Sequence, residues 1–226
     1  MDRLIAEDLL LLLLDDQTGR MTHTSYLQTG VGGALLVELA LTEAVQVAPR
    51  TGWLSWPKVT ATSLVSPDDP VLARAVSVVR DKPRTAQDLV TRLGKDQRDV
   101  LLGRLADRGL LRREEGRVLG LFPRTSWPVR DTSAETELRR RLAEVLVRGA
   151  VPDARTGALV GVLSAMGIAH RVVDDEGTGK RAVRLRAKQV AEGDWAAKAV
   201  RDAIAATQAA VSAAMVASTA AASGSS

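Results

Sequence analysis

Cysteine is absent from this chain, histidine occurs only twice, and just six of its 226 residues are aromatic. The first absence excludes disulfides and thiolate metal sites and permits a reducing interior. The two histidines, His23 and His170, stand far apart with no carboxylate at ligand spacing, so neither a zinc site nor a nucleophile triad is built on them. With so few rings, the 46% of hydrophobic residues must fill a core with Leu, Val and Ala. These residues favour helices packed on helices over a β-sandwich, whose core aromatic residues usually dominate.

Membrane-length apolar runs and catalytic fingerprints are missing too. The one candidate targeting segment, LLLLLL at Leu9 to Leu14, is far too short to span a bilayer. Asp2, Glu7 and Asp8 precede it where a signal peptide carries positive charge, and Asp15 and Asp16 follow it, so a soluble, cytosolic chain is expected. GVGGA at Gly30 to Ala34 has the wrong glycine spacing for a dinucleotide fingerprint. TGKR at Thr178 to Arg181 lacks the first glycine and the hydroxyl residue of a phosphate loop. No nucleophile elbow occurs either. The expectation is a binding protein with no catalytic residues, no metal and no cofactor.

What the chain does have is a local excess of positive charge. The formal net charge is +4 and the pI about 9.8, a modest bias towards acidic partners. Between Arg92 and Arg130, however, ten Lys and Arg stand against five Asp and Glu. That stretch reads as an amphipathic helix to about Asp107, a turn at Gly109, and a hairpin bent at Glu114 to Arg117 with VLGLF as its return strand. A basic helix followed by an apolar-tipped hairpin suits either an anionic membrane surface or DNA read by a winged helix.

Along the rest of the chain, Leu4 to Leu14 reads as a buried helix and Gln28 to Glu43 as a central one. The lone Glu38 in the central helix is expected to pair with an arginine or a backbone amide rather than to catalyse. Val45 to Thr62 predicts a short hairpin with Trp53 and Trp56 on its connection. Asp68 or Asp69 is placed to cap a helix over 71–80, and Thr85 to cap the helix AQDLVTRL. Further helices are expected over 131–149, within 153–169, up to about Glu192, and from Trp195 to about Ala217. Arg139 to Arg141 read as a solvated face. The fold class is therefore mainly α: a single helical domain over 1–217 with a projecting β-hairpin and one further short hairpin, then a disordered tail at 218–226.

The ordered set DLLLLLLDDQTG, GVGGALLVELAL, PKVTATSLVSPDDPVLARAV and LADRGLLRREEGRVLGLFPRTSWPV resembles the Golgi phosphoprotein 3 family, including its bacterial members, over roughly Leu4 to Ala217. The resemblance implies peripheral membrane binding through phosphatidylinositol 4-phosphate. The family's two basic head-group residues on the helix before the hairpin fall on Lys95 and Arg98. Its tryptophan position falls on His23 or Thr24 and its arginine position on Gly32, so half of the inositide pocket is absent and other anionic phospholipids come into play. Val118, Leu119, Leu121 and Phe122 are the residues expected to insert into the membrane or to join two subunits, since relatives also self-associate through this hairpin. A protein partner docking on the hairpin is the remaining reading. Nucleic acid is disfavoured, because Asp96, Gln97, Asp99 and Leu101 stand where a recognition helix needs phosphate- or base-contacting side chains. The Ala-, Val- and Arg-rich composition with scarce Lys fits a high-GC bacterial genome, which places the chain at the cytoplasmic face of the plasma membrane.

Overall fold

A helix that is apolar almost all round has little solvent face to offer and must be enclosed by others. In the computed structural model, two such helices form the centre. Residues 3–15, 18–22, 26–48, 57–62, 67–118 and 122–193 are described, together with 201, 204, 205 and 207–209. Helix α1 (Ile5–Leu13) is buried along its whole length, and α2 (Leu27–Leu41) along nearly all of it. Around them pack α3 (Pro70–Asp81), α4 (Ala86–Gly94), α5 (Gln97–Asp107), α6 (Ser133–Leu146), α7 (Ala154–Ala165) and α8 (Lys180–Glu192). The chain is mainly helical, as its composition requires.

The caps are those the sequence offers. Asp69 accepts the amides of Val71 and Leu72 at the start of α3, Thr85 accepts that of Asp88 in α4, and Asp153 accepts those of Arg155 and Thr156 in α7. Strands β1 (Val45–Val47) and β2 (Lys58–Ala61) form the short antiparallel hairpin. It is not a lone hairpin, because β3 (Arg84–Thr85) adds to β2 as a third strand, Lys58 opposite Thr85 and Val59 opposite Arg84. The break in DKPRT thus supplies an edge strand before α4 begins. Trp53, Trp56, the helix expected from Trp195 to Ala217 and the tail at 218–226 lie outside the described residues or almost wholly so.

Two expectations are corrected. The helix running to Asp107 begins only at Gln97: α4 ends at Gly94, and Asp96 adopts a left-handed conformation at φ 58° between the two helices. Leucines continue on both sides of the break, so the apolar pattern hides it. The hairpin also bends later than EEGR. Strand β4 (Glu114–Val118) pairs with β5 (Phe122–Ser126), Gly116 opposite Arg124 and Val118 opposite Phe122. Glu-Glu-Gly-Arg lacks the Asn-Gly or Asp-Gly pair that closes a tight hairpin, and it stays extended.

Charges inside the core are paired. Glu38 accepts the Ile5 amide at 2.6 Å and the Arg155 guanidinium at 2.9 Å, the arrangement expected of it. Asp8 of α1 pairs with Arg3 at 2.7 Å, while Arg155 also donates to the Arg3 carbonyl. Burial pushes the Asp8 and Glu38 carboxyls up, against the opposing pull of Arg3 on the first and Arg155 on the second. The last of these carboxylates, Glu7, is wholly enclosed and takes Arg104 at 2.9 Å.

Candidate functional site

Helices α2 and α4 approach each other more closely than side chains permit. A Cβ on Gly32 would lie 1.8 Å from the Val90 carbonyl oxygen, and one on Gly94 would lie 1.8 Å from that of Gln28. Both contacts are with backbone, so only glycine fits at either position. The crossing brings the first turn of α2 against the end of α4 and sets the α4–α5 junction beside it. Gly32 is therefore a buried packing residue, and no side chain at that position reaches a ligand.

The junction itself is short. Lys95 caps α4, its amide bonding to the Arg92 carbonyl at 3.3 Å, and Asp96 turns the chain into α5. Asp tolerates the left-handed region better than most residues. Asp96 occupies the N-cap of α5 without a side-chain cap bond. Lys95 and Arg98 are both exposed, but they do not share the first turn of one helix: Lys95 precedes α5 and Arg98 lies within it.

Each opens onto its own cleft. One, of about 200 Å³, lies between α3 and the α4–α5 junction; Arg74, Arg92 and Lys95 supply its positive charge, and Leu35, Val71 and Leu93 part of its apolar lining. The other, of about 370 Å³, lies between the start of α2 and α5 and is lined by Leu27, Gln28, Val31, Gly94 and Arg98. Asp96 borders both, and Asp99 borders the second, where it stands 3.9 Å from Arg98. The second cleft thus holds one cation and two carboxylates. The first holds three cations and one carboxylate.

Much of the positive surplus between Arg92 and Arg130 is engaged within the fold. Arg104 reaches inward, donating to Glu7 at 2.9 Å and to both Asp69 oxygens at 2.8 and 2.6 Å. Arg108 stands 3.8 Å from Glu7, Arg112 pairs with Glu114 at 2.5 Å, and Arg113 pairs with Glu115 at 2.8 Å. Burial pushes the Asp69 carboxyl up, but the Arg104 hydrogen bonds, its charge and the two cap amides outweigh it, and the net direction is down. Lys95 makes no ion pair among the described residues. The triple-arginine run divides likewise: Arg140 and Arg141 share Glu137 on the surface, whereas Arg139 bonds Glu135 and the Val172 carbonyl.

His23 and Thr24, and Leu119 and Leu121 of the hairpin, lie outside the described residues. For Val118 and Phe122 the structure gives the backbone pairing that closes the outer end of β4–β5. His170 is buried beside Arg184 of α8, 2.9 Å from it. Among the described residues no helix is long and apolar enough to cross a membrane. Arg92 belongs to the basic stretch in the sequence but carries no sign there of a binding role, and Arg74 lies outside that stretch. Arg74 sits on a different amphipathic helix, and only the packing of α3 beside α4 brings it to Lys95.

The order α4, α5, hairpin is that of a winged helix, but the sheet differs. β3 pairs with β2 and not with β4–β5, and the exposed charged residues of α5 and its C-cap are of both signs, Arg98 and Arg108 against Asp99 and Asp107. A family model described as Golgi phosphoprotein 3 (GPP34) matches residues 5–207. No curated protein matches the chain.

Proposed function

Because the chain belongs to the Golgi phosphoprotein 3 family, we propose that it is a peripheral membrane-binding protein and not an enzyme. Its ligands on this reading are phosphoinositide (phosphatidylinositol 4-phosphate-like) or other anionic phospholipid head groups, met at the cytoplasmic face of a membrane. The observation that carries the reading is the α4–α5 junction, where Lys95 and Arg98 stand exposed on either side of Asp96 above the α2–α4 crossing. On this reading Val118, Leu119, Leu121 and Phe122 are the residues that enter the interface or join a second subunit, and self-association through them adds avidity on a surface.

A basic residue near an anionic membrane contributes about 1 kcal/mol. A few such charges with a small apolar tip give reversible, salt-sensitive attachment. The test is co-sedimentation with phosphatidylcholine vesicles carrying phosphatidylinositol 4-phosphate. Lys95→Ala combined with Arg98→Ala lowers retention roughly tenfold or more while the thermal transition is unchanged. Equal retention by the double variant removes the site. A salt-dependent mobility shift on duplex DNA favours the winged-helix alternative; capture of one stoichiometric protein by a chain that ignores vesicles favours a scaffold.

A further inference from the structure

The Lys95–Arg98 pair is divided by Asp96, and the two halves are not equivalent. We propose that the smaller cleft, between α3 and the α4–α5 junction, is a phosphate monoester site in which Arg74, Arg92 and Lys95 hold the phosphate. Its charged lining is three cations and Asp96, against one cation and two carboxylates in the neighbouring cleft. Arg74 makes no ion pair among the described residues. Arg92 is held through its Nε by Asp88 at 2.8 Å, which fixes the guanidinium plane while its two terminal amino groups make no hydrogen bond among the described residues. Asp88 is shared with Arg84 at 3.2 Å, so it neutralises Arg92 only in part.

Two arginine forks and an ammonium match a doubly charged phosphate, which accepts several charge-assisted bonds at once. About 200 Å³ is several water volumes, enough for a phosphate and the first atoms of whatever carries it. The apolar lining from Leu35, Val71, Ala75, Val78 and Leu93 suits a carbon skeleton behind the phosphate better than a bare ion. The amide of Gln97, itself buried and bonded to the Lys95 carbonyl at 3.4 Å, closes the end nearest α5. A phosphorylated lipid head group and a soluble phosphate ester share this chemistry. The lipid as source rests on the membrane reading above; the site itself does not.

Two arms separate them. Inorganic phosphate titrated into the full chain, followed by arginine Nε–H and backbone amide NMR, gives saturable shifts at Arg74, Arg92 and Lys95 and none at Arg98. Arg74→Ala and Arg92→Ala each weaken that binding more than tenfold with the fold intact. On phosphatidylcholine vesicles carrying phosphatidylinositol 4-phosphate, Arg74→Ala lowers retention more than tenfold. Arg98→Ala, and Arg181→Ala on the distant α8, remove the same charge and lower it about fivefold or less, the effect of general attraction alone. Phosphate shifts at Arg74 in a chain that ignores the vesicles sustain the site and overturn only the membrane reading. Vesicle binding that Arg74→Ala and Arg92→Ala leave unchanged overturns this inference while the membrane reading stands, as do phosphate shifts centred on Arg98 or no shifts at all.

Discussion

Gly32→Ala tests the helix crossing on which the junction is built, and its sign is informative. In an ordinary helix, exchanging glycine for alanine gains about 1 kcal/mol of intrinsic propensity. At Gly32 the new Cβ meets the Val90 carbonyl oxygen at 1.8 Å, and the Gly94 amide nitrogen at 2.9 Å. Neither is a side chain that can turn away. To restore an ordinary contact, α2 and α4 must part by more than an ångström, and a gap of 0.5–1 Å already forfeits roughly a quarter to a half of each dispersion contact across it. Overpacking of this kind costs about 1–3 kcal/mol where side chains yield, and more where only backbone can. The propensity gain offsets part of that, leaving a net loss of about 2–4 kcal/mol. For a chain of this size that lowers the melting temperature by roughly 5–15 °C. Gly103→Ala is the paired control, since it lies inside α5 with nothing within 4 Å of its Cβ; it raises stability by about 0.5–1 kcal/mol. Urea and thermal unfolding followed by circular dichroism read both. A Gly32→Ala protein as stable as the parent refutes the close crossing, and with it the reason that no arginine stands at that position.

Further predictions concern the buried charges. Arg104→Ala leaves Glu7 fully enclosed with its principal guanidinium removed and Asp69 without its bidentate partner; urea unfolding should show a loss of about 3–5 kcal/mol, and a loss under 1 kcal/mol would mean the network is not formed. Carbon-detected carboxyl NMR should find Glu38 titrating above its ordinary 4.5 and Glu137, between Arg140 and Arg141, at about 2. The linked stabilities have opposite signs. Asp69 and Asp153, whose folded values lie below 3.8, contribute stability that is complete above that pH and lost as the pH falls through their folded values. Asp8 and Glu38, raised in the fold, make the folded chain relatively more stable as the pH falls from above their folded values towards their ordinary ones. Glu38→Gln removes Glu38's share of the second contribution and leaves that of Asp8, so the pH profile of its unfolding free energy should steepen on the acid side; an unchanged profile contradicts the assignment.

The elements legible in the sequence are those that announce their own ends. Asp69, Thr85 and Asp153 each precede an apolar-periodic run and each caps a helix. Glu38 was readable because a lone carboxylate among leucines has few stable fates besides pairing. Features that depend on distant packing were hidden. Nothing in GVGGALLVELAL says that Gly32 faces the Val90 carbonyl, and Glu7 and Asp8 read as polar flanks of a leucine run until Arg3, Arg104 and Arg155 are folded onto them. The break at Asp96 escaped because leucines on both sides keep the helical pattern going. The charge count between Arg92 and Arg130 was correct as a sum, but misleading as a surface, since Arg104 turns inward and Arg112 and Arg113 meet their own glutamates. At the candidate site, Lys95 and Arg98 were legible from family position alone, and Arg74 was not, because α3 carries no local mark of the cleft it borders.

Attachment to anionic lipid is the central claim, and flotation of the unmodified chain tests it most directly. Vesicles of phosphatidylcholine alone are compared with the same vesicles carrying phosphatidylinositol 4-phosphate, each at about 0.1 M and about 1 M salt, where the Debye length falls from roughly 10 to roughly 3 Å. The account predicts that the chain rises with the phosphorylated vesicles at the lower salt, and is released at the higher. Equal flotation with both lipids, or none with either, contradicts it.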